Sequence, residues 1–260
     1  MALDFSQMHD LLMKELRLMH YPVGMTFYYS EEEVAAAKQV YEFHTPHKPV
    51  TLCQAELGAR MEGLNILFPM DKLWCKSARL CFGLKTDVDD KDIASHLKWC
   101  VDEEQAARVI ASKPVLKGTP PVAMSLIPLG NLKHQPDVVH FICDNMQAYH
   151  LANDWMAVAD VHPLRPNMCT NSAVCGGSLY AMLEQQANIH LACAGSYSSG
   201  KMERSEINVT IPGKHIGPMA ERMKKRVEEK GGVSLTKPGQ PFPGVDICQN
   251  CPLIIFKKAE

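Results

Sequence analysis

Thiolates are the strongest chemistry this sequence offers. Cys53 begins the run Cys-Gln-Ala-Glu-Leu-Gly-Ala-Arg-Met-Glu-Gly-Leu-Asn-Ile, and Cys175 begins Cys-Gly-Gly-Ser-Leu-Tyr-Ala-Met-Leu-Glu-Gln-Gln-Ala-Asn-Ile. Each run is followed by a second cysteine, Cys75 in Trp-Cys-Lys-Ser-Ala and Cys193 in Ala-Cys-Ala-Gly-Ser. Both runs read as a helix leading into a strand, so a cysteine–helix–strand–cysteine unit occurs twice. A thiol at a helix start faces unpaired N–H groups and the positive end of the dipole, which favours thiolate. A helix followed by a strand returns the chain toward the end from which it started, so the second cysteine of each unit can approach the first. Two such units could bring four thiolates together or form two separate pairs; tight packing that wants small residues would use the same positions.

Near the C-terminus, Cys248-Gln-Asn-Cys251-Pro252 has a spacing that lets two sulfurs face one ion. The full ferredoxin run is missing, and half of a zinc site uses the same spacing. Cys169, Cys175, Cys75 and Cys81 share an x₅ spacing in pairs. Cys81, Cys100 and Cys143 lie in apolar runs and read as buried core. Arg60 and Arg79 are candidates for an anionic substrate, with surface salt bridges the plainer reading. Gly176-Gly177 could let backbone approach a cluster or phosphate, or simply permit a helix start. The eleven histidines show no zinc-protease spacing, with His44 and His47 flanking Pro46 in a loop, and no P-loop, nucleophile elbow or dinucleotide fingerprint occurs.

The elements that must position these residues alternate. The spacing predicts helices from Ser6 (as cap) to Leu18, from Ser30, over 52–61, near 102–104, and over 145–155, 175–186 and 215–230. Strands are predicted over 23–29, 64–68, 122–127, 137–142, 189–192 and 206–211. The fold class expected is α+β (mixed α/β): two diverged pseudo-symmetric half-repeats packed as one globular unit. The runs Pro22-Val23-Gly24-Met25-Thr26-Phe27 and Pro121-Val122-Ala123-Met124-Ser125-Leu126 suggest matching first strands, so 20–85 should superpose on 118–200, with a helix-bearing insertion in the second. The division expected is 1–117, 118–235 and a Pro/Gly-rich segment 236–260.

Composition limits the function. Net charge is −2 with no basic patch, which argues against nucleic acid, and the longest apolar runs fall far short of a membrane span. Asp4, Asp10, Lys14, Glu15 and Arg17 break any export signal, so a cytoplasmic location with reduced thiols is expected.

Several blocks resemble one family. Pro-Val-Gly-Met-Thr-Phe, the run from Cys53 to Leu64, Pro128-Leu129-Gly130 with Pro136-Asp137-Val138-Val139, Asn145-Met146-Gln147-Ala148, and Cys193-Ala194-Gly195-Ser196 followed by Glu203, Glu206 and Ile211-Pro212 look like the ArCR-type domain of unknown function (family 169) of bacteria and archaea. The resemblance implies an anaerobe's protein and associates Cys53, Cys75, Cys175 and Cys193 with the family; it is weaker at Cys248 and Cys251. The function expected is a metal–sulfur protein, with a [4Fe–4S] cluster on those four cysteines and Cys248 and Cys251 as further metal ligands. It would act in redox, sulfur or cofactor chemistry with a small molecule or a redox-partner protein. The alternatives are a zinc-stabilised or ligand-binding accessory module, and a metal-free thiol enzyme with Cys53 or Cys175 as nucleophile.

Overall fold

The structure is a computed structural model that describes residues 2–230; Cys248, Cys251 and the rest of the 236–260 segment lie outside the described residues. Helix α1 (Phe5–Leu16) is capped by Asp4, whose carboxylate accepts the Gln7 N–H at 2.8 Å. The cap is therefore Asp4 and not Ser6, because the reciprocal Gln7 side chain completes a capping box two residues earlier. Strand β1 (Val23–Tyr28) leads to α2 (Glu31–Val40), which Ser30 caps and three first-turn glutamates favour. Then come α3 (Leu52–Glu62), β2 (Ile66–Pro69) and the short α4 (Lys76–Cys81). The helical pair α5 (Asp90–Leu97) and α6 (Glu103–Ala111) precedes β3 (Ala123–Pro128). The remainder is β4 (Val138–Asp144), α7 (Asn145–Ala159), α8 (Ala173–Glu184), β5 (Asn188–Leu191), α9 (Ala194–Ser198), β6 (Glu206–Pro212) and α10 (Gly213–Lys230).

The six strands form one sheet in the order β2-β3-β1-β4-β6-β5, every neighbouring pair antiparallel. This order reads the same from either end if β1 is exchanged for β4, β3 for β6 and β2 for β5. The exchange reverses every strand direction, as a two-fold normal to the sheet requires, so the halves are related by a pseudo-two-fold between β1 and β4, and the fold is mixed α+β with two pseudo-symmetric half-repeats. The counterpart of β1 is thus β4, not β3. The similar Pro-Val runs of β1 and β3 belong to adjacent partners, in register from Val23–Pro128 to Tyr28–Ala123. A division at 117/118 separates β3 from both strands it pairs with. The extra helices, α5 and α6, fall between α4 and β3, which puts the insertion in the first half. The cysteine–helix–strand–cysteine units do correspond: α3–β2–α4 and α8–β5–α9 occupy matching places.

Helices cover both faces. On one, Leu12, Leu151, Trp155 and Met219 from α1, α7 and α10 bury Val139, Phe141, Val209 and Ile211. On the other, Leu52 and Ala59 of α3, Ala78 of α4 and Leu179 of α8 bury Met25, Phe27, Met124 and Val138. No helix among the described residues is long and apolar enough to cross a membrane.

Candidate functional site

The second face carries the site. Thr51 caps α3 with a reciprocal Gln54 contact, which leaves Cys53 in the first turn; Cys175 occupies the first turn of α8. Cys75 is the N-cap of α4, and Cys193 that of α9. All four cysteines therefore sit at helix starts, and all four line one cavity of about 460 Å³ between the halves, with Trp74, Lys98 and Asn171 among its other walls. Asn171 holds a left-handed backbone, φ 58°, just before α8, a conformation Asn tolerates better than most residues.

Cys53 of α3 and Cys193 of α9 line the cavity from opposite halves. The Cys53 thiol, the Ser196 hydroxyl and the N–H groups of Ala173 and Ser196 outweigh burial and pull the Cys193 thiol down to about 4. The Ser196 N–H lies 3.4 Å from the sulfur. The Cys193 thiol and then burial push Cys53 well above an ordinary thiol. Cys81 at the end of α4 lies beside Cys175 of α8; the Cys175 thiol and then Lys113 lower the Cys81 thiol, and Cys175 is raised. Burial raises Cys75 against the opposing N–H groups of Ala78 and Ser77. Among the four cysteines that line the cavity, Cys193 is lowered while Cys53, Cys75 and Cys175 are raised.

A buried polar chain backs the cavity. The Lys113 ammonium donates to Ser77 Oγ and, at 2.8 Å, to His96 Nε2. Ser77 and Ser172 hydroxyls meet at 2.8 Å, and Cys81 Sγ lies 3.8 Å from Ser172. Ser172 precedes α8 yet makes no capping bond, because its hydroxyl is engaged in this chain. Lys113 makes no salt bridge with a carboxylate among the described residues, and its charge helps lower the nearby Cys81 thiol. Sequence reading missed Lys113, Ser77, Ser172 and His96 altogether, and filed Cys81 as plain core.

The other candidates resolve differently. Arg60 is buried in α3 and donates to the Gly200 carbonyl, with Nε and Nη1 unpartnered; Arg79 donates to the Leu73 carbonyl at 3.3 Å. Both brace backbone beside the site, and neither makes a salt bridge among the described residues. Gly176 and Gly177 serve close packing: a Cβ on Gly176 would come within 2.9 Å of Ser172 Cβ, and one on Gly177 within 3.2 Å of Asn188 Nδ2. Cys143 and Cys169 are buried, whereas Cys100 is only half-buried. His44 adds a bridge to the edge at Ile66, and Glu56 of α3 pairs with His140 of β4 beneath Cys53.

Among the described residues, no group of three His, Cys, Asp or Glu side chains stands close enough together to hold a single metal ion. The four sulfurs ring a cavity instead of converging on a point.

No match was found among curated proteins or among solved structures. The family profile described as uncharacterised ArCR matches residues 11–222, most of the chain, and the protein belongs to this ArCR family of unknown function.

Proposed function

We propose that the cavity between the halves binds a thiolate-ligated metal–sulfur cluster, [4Fe–4S], through Cys53, Cys75, Cys175 and Cys193. The observation that carries this reading is that one cysteine from each of four helix starts, two per half, opens onto the same cavity. When bound, such a cluster supplies electron transfer or a Lewis-acidic iron to redox, sulfur or cofactor chemistry. The chain's part is to hold and charge-balance it. N–H groups at helix starts favour the negative charge of thiolates, and Lys113 sets a buried positive charge behind them. The apolar walls around Leu52, Ala78 and Val174 exclude water. Trp74, 70% exposed, stands at the opening, where a small molecule or a redox-partner protein would approach. Free thiols in this number suit a reducing compartment such as the cytoplasm. Cys248 and Cys251 are further ligand candidates by spacing alone.

Anaerobic purification tests the reading. A brown protein with about four irons per chain, whose metal and colour vanish together in Cys53→Ser and Cys175→Ser and persist in Cys100→Ser, supports it. A colourless protein with stoichiometric zinc supports the accessory-module alternative. Full metal content in Cys53→Ser and Cys175→Ser would overturn the ligand assignment.

A further inference from the structure

Charge gathers at the opening of the cavity as well as behind it. Four of its lining residues, Trp74, Lys76, Ser95 and Lys98, are exposed and so mark the rim. Two of the four are lysines, and among the described residues no aspartate or glutamate lines the cavity. Neither lysine makes a salt bridge among the described residues. Lys76 is the first residue of α4, where the positive end of the helix dipole disfavours a cation; an anion in the cavity would offset that cost. Lys98 follows α5, and its ammonium stands 5.3 Å from the centroid of the Trp99 ring, within cation–π range, which holds it at the rim. Ser95 and Lys98 both belong to the α5–α6 insertion that the second half lacks, so the insertion brings a hydroxyl and a cation to the site. Behind the rim the walls turn apolar at Leu52, Ala78 and Val174.

We infer that the cavity takes a small organic acid as its anion, an apolar body ending in one carboxylate. The carboxylate is held at the rim by the Lys76 and Lys98 ammoniums, and the body lies against the Trp74 ring and the apolar walls. The volume of about 460 Å³ falls in the range of small-molecule sites. Each alternative leaves part of the lining unused. A bare phosphate would pair with the lysines and gain nothing from the apolar walls. A neutral ring would use the walls and leave both lysines without a counter-charge, and a cation would be repelled at the entrance. The inference deepens the cluster reading by naming a substrate class for the same cavity, and rests on it only for what the acid meets at the floor, where the sulfurs lie.

The test is calorimetric titration of the full-length chain, purified anaerobically with its metal content recorded. The probes are 2-naphthoate, its neutral amide 2-naphthamide, and inorganic phosphate. The acid should bind at a single site, roughly tenfold or more tighter than the amide, and should weaken as salt rises. Lys76→Gln and Lys98→Gln should each weaken the acid severalfold and leave the amide unchanged, which separates a lost charge from a lost fold. Trp74→Ala should weaken acid and amide alike. Lys14→Gln, on α1 and exposed, should weaken neither. Equal affinity for acid and amide overturns the inference. So does acid binding that ignores both lysines, phosphate binding as tight as that of the acid, or no binding of the acid at all. A chain that binds the acid but carries no metal would sink the cluster reading alone; one that carries metal but ignores the acid would sink this inference alone.

Discussion

Gly200 shows how tightly single residues hold this site. A Cβ there would fall 2.6 Å from the Ser196 carbonyl oxygen as well as against Cys53, and both neighbours are fixed in helices. Gly200→Ala should therefore push the turn after α9 away from α3 and cost about 1–3 kcal/mol, read as a lower urea midpoint at unchanged slope. Much at this scale was legible in advance. Thiols at helix starts are visible because Cys53 and Cys175 each open a helical run, and the cysteine after each strand follows. The buried chain of Lys113, Ser77 and Ser172 was not, since Ser77 and Ser172 are 95 positions apart and a lysine beside a proline in a loop carries no local mark. Cys81 was half read: its apolar setting does predict burial, but not the Lys113 charge beside it.

At the scale of elements, helix ends repay attention. Asp144 caps α7 and accepts the Gln147 N–H at 2.8 Å, while Gln147 Nε2 donates at 2.9 Å to the carbonyls of both Leu16 and Arg17. One capping box thus fastens the end of α1 to the start of α7. Asp144→Ala should cost about 1 kcal/mol. Gln147→Ala should cost at least as much because it releases two α1 carbonyls, a difference that thermal unfolding of the two variants would resolve. Long amphipathic helices and alternating strands could be placed from periodicity alone. The short α4 and α9 could not, because a single turn has no period to detect. Their caps are cysteines, which sequence rules do not count among capping residues. The Pro-Val likeness of β1 and β3 misled for a physical reason: both are fully paired central strands facing the same helices, so they share a composition without sharing a place in the repeat.

The whole molecule gathers several neutral imidazoles into its interior. Burial lowers His9, His96, His150 and His215, reinforced at His96 by Lys113, at His150 by Arg226 and at His215 by Lys214. His215 accepts the Trp155 Nε1–H at 2.9 Å, which requires its unprotonated ring nitrogen. With folded values below the unfolded value of about 6.5, the unfolded chain takes up protons first on acidification. It then binds more protons than the folded chain, so stability rises with pH in this window. Stability should be full above about pH 6.5 and fall steadily below it, through the depressed folded values. Buried Asp137 and Asp154, whose carboxyls burial raises, act in the opposite sense from about pH 4 up to their raised folded values. Urea titrations at neutral and mildly acidic pH should show the fall, and His150→Gln should reduce it.

The strand order has a further consequence for how the cavity is filled. Each pair of site cysteines is joined through an outermost strand, β2 or β5, and these are the shortest in the sheet, four residues each. Outer strands break fewest hydrogen bonds on opening, so they sample local unfolding at a fraction of the global free energy. On β2 the bridge from His44 to Ile66 restrains that motion; β5 has β6 as its only strand neighbour among the described residues. Amide exchange should accordingly be fastest along β5 and slowest at the central β1–β4 pair. An occupant gripping all four sulfurs should slow both margins together, by the amount its affinity adds. The second half is then the side expected to open to a bulky group, with the first half as the fixed wall.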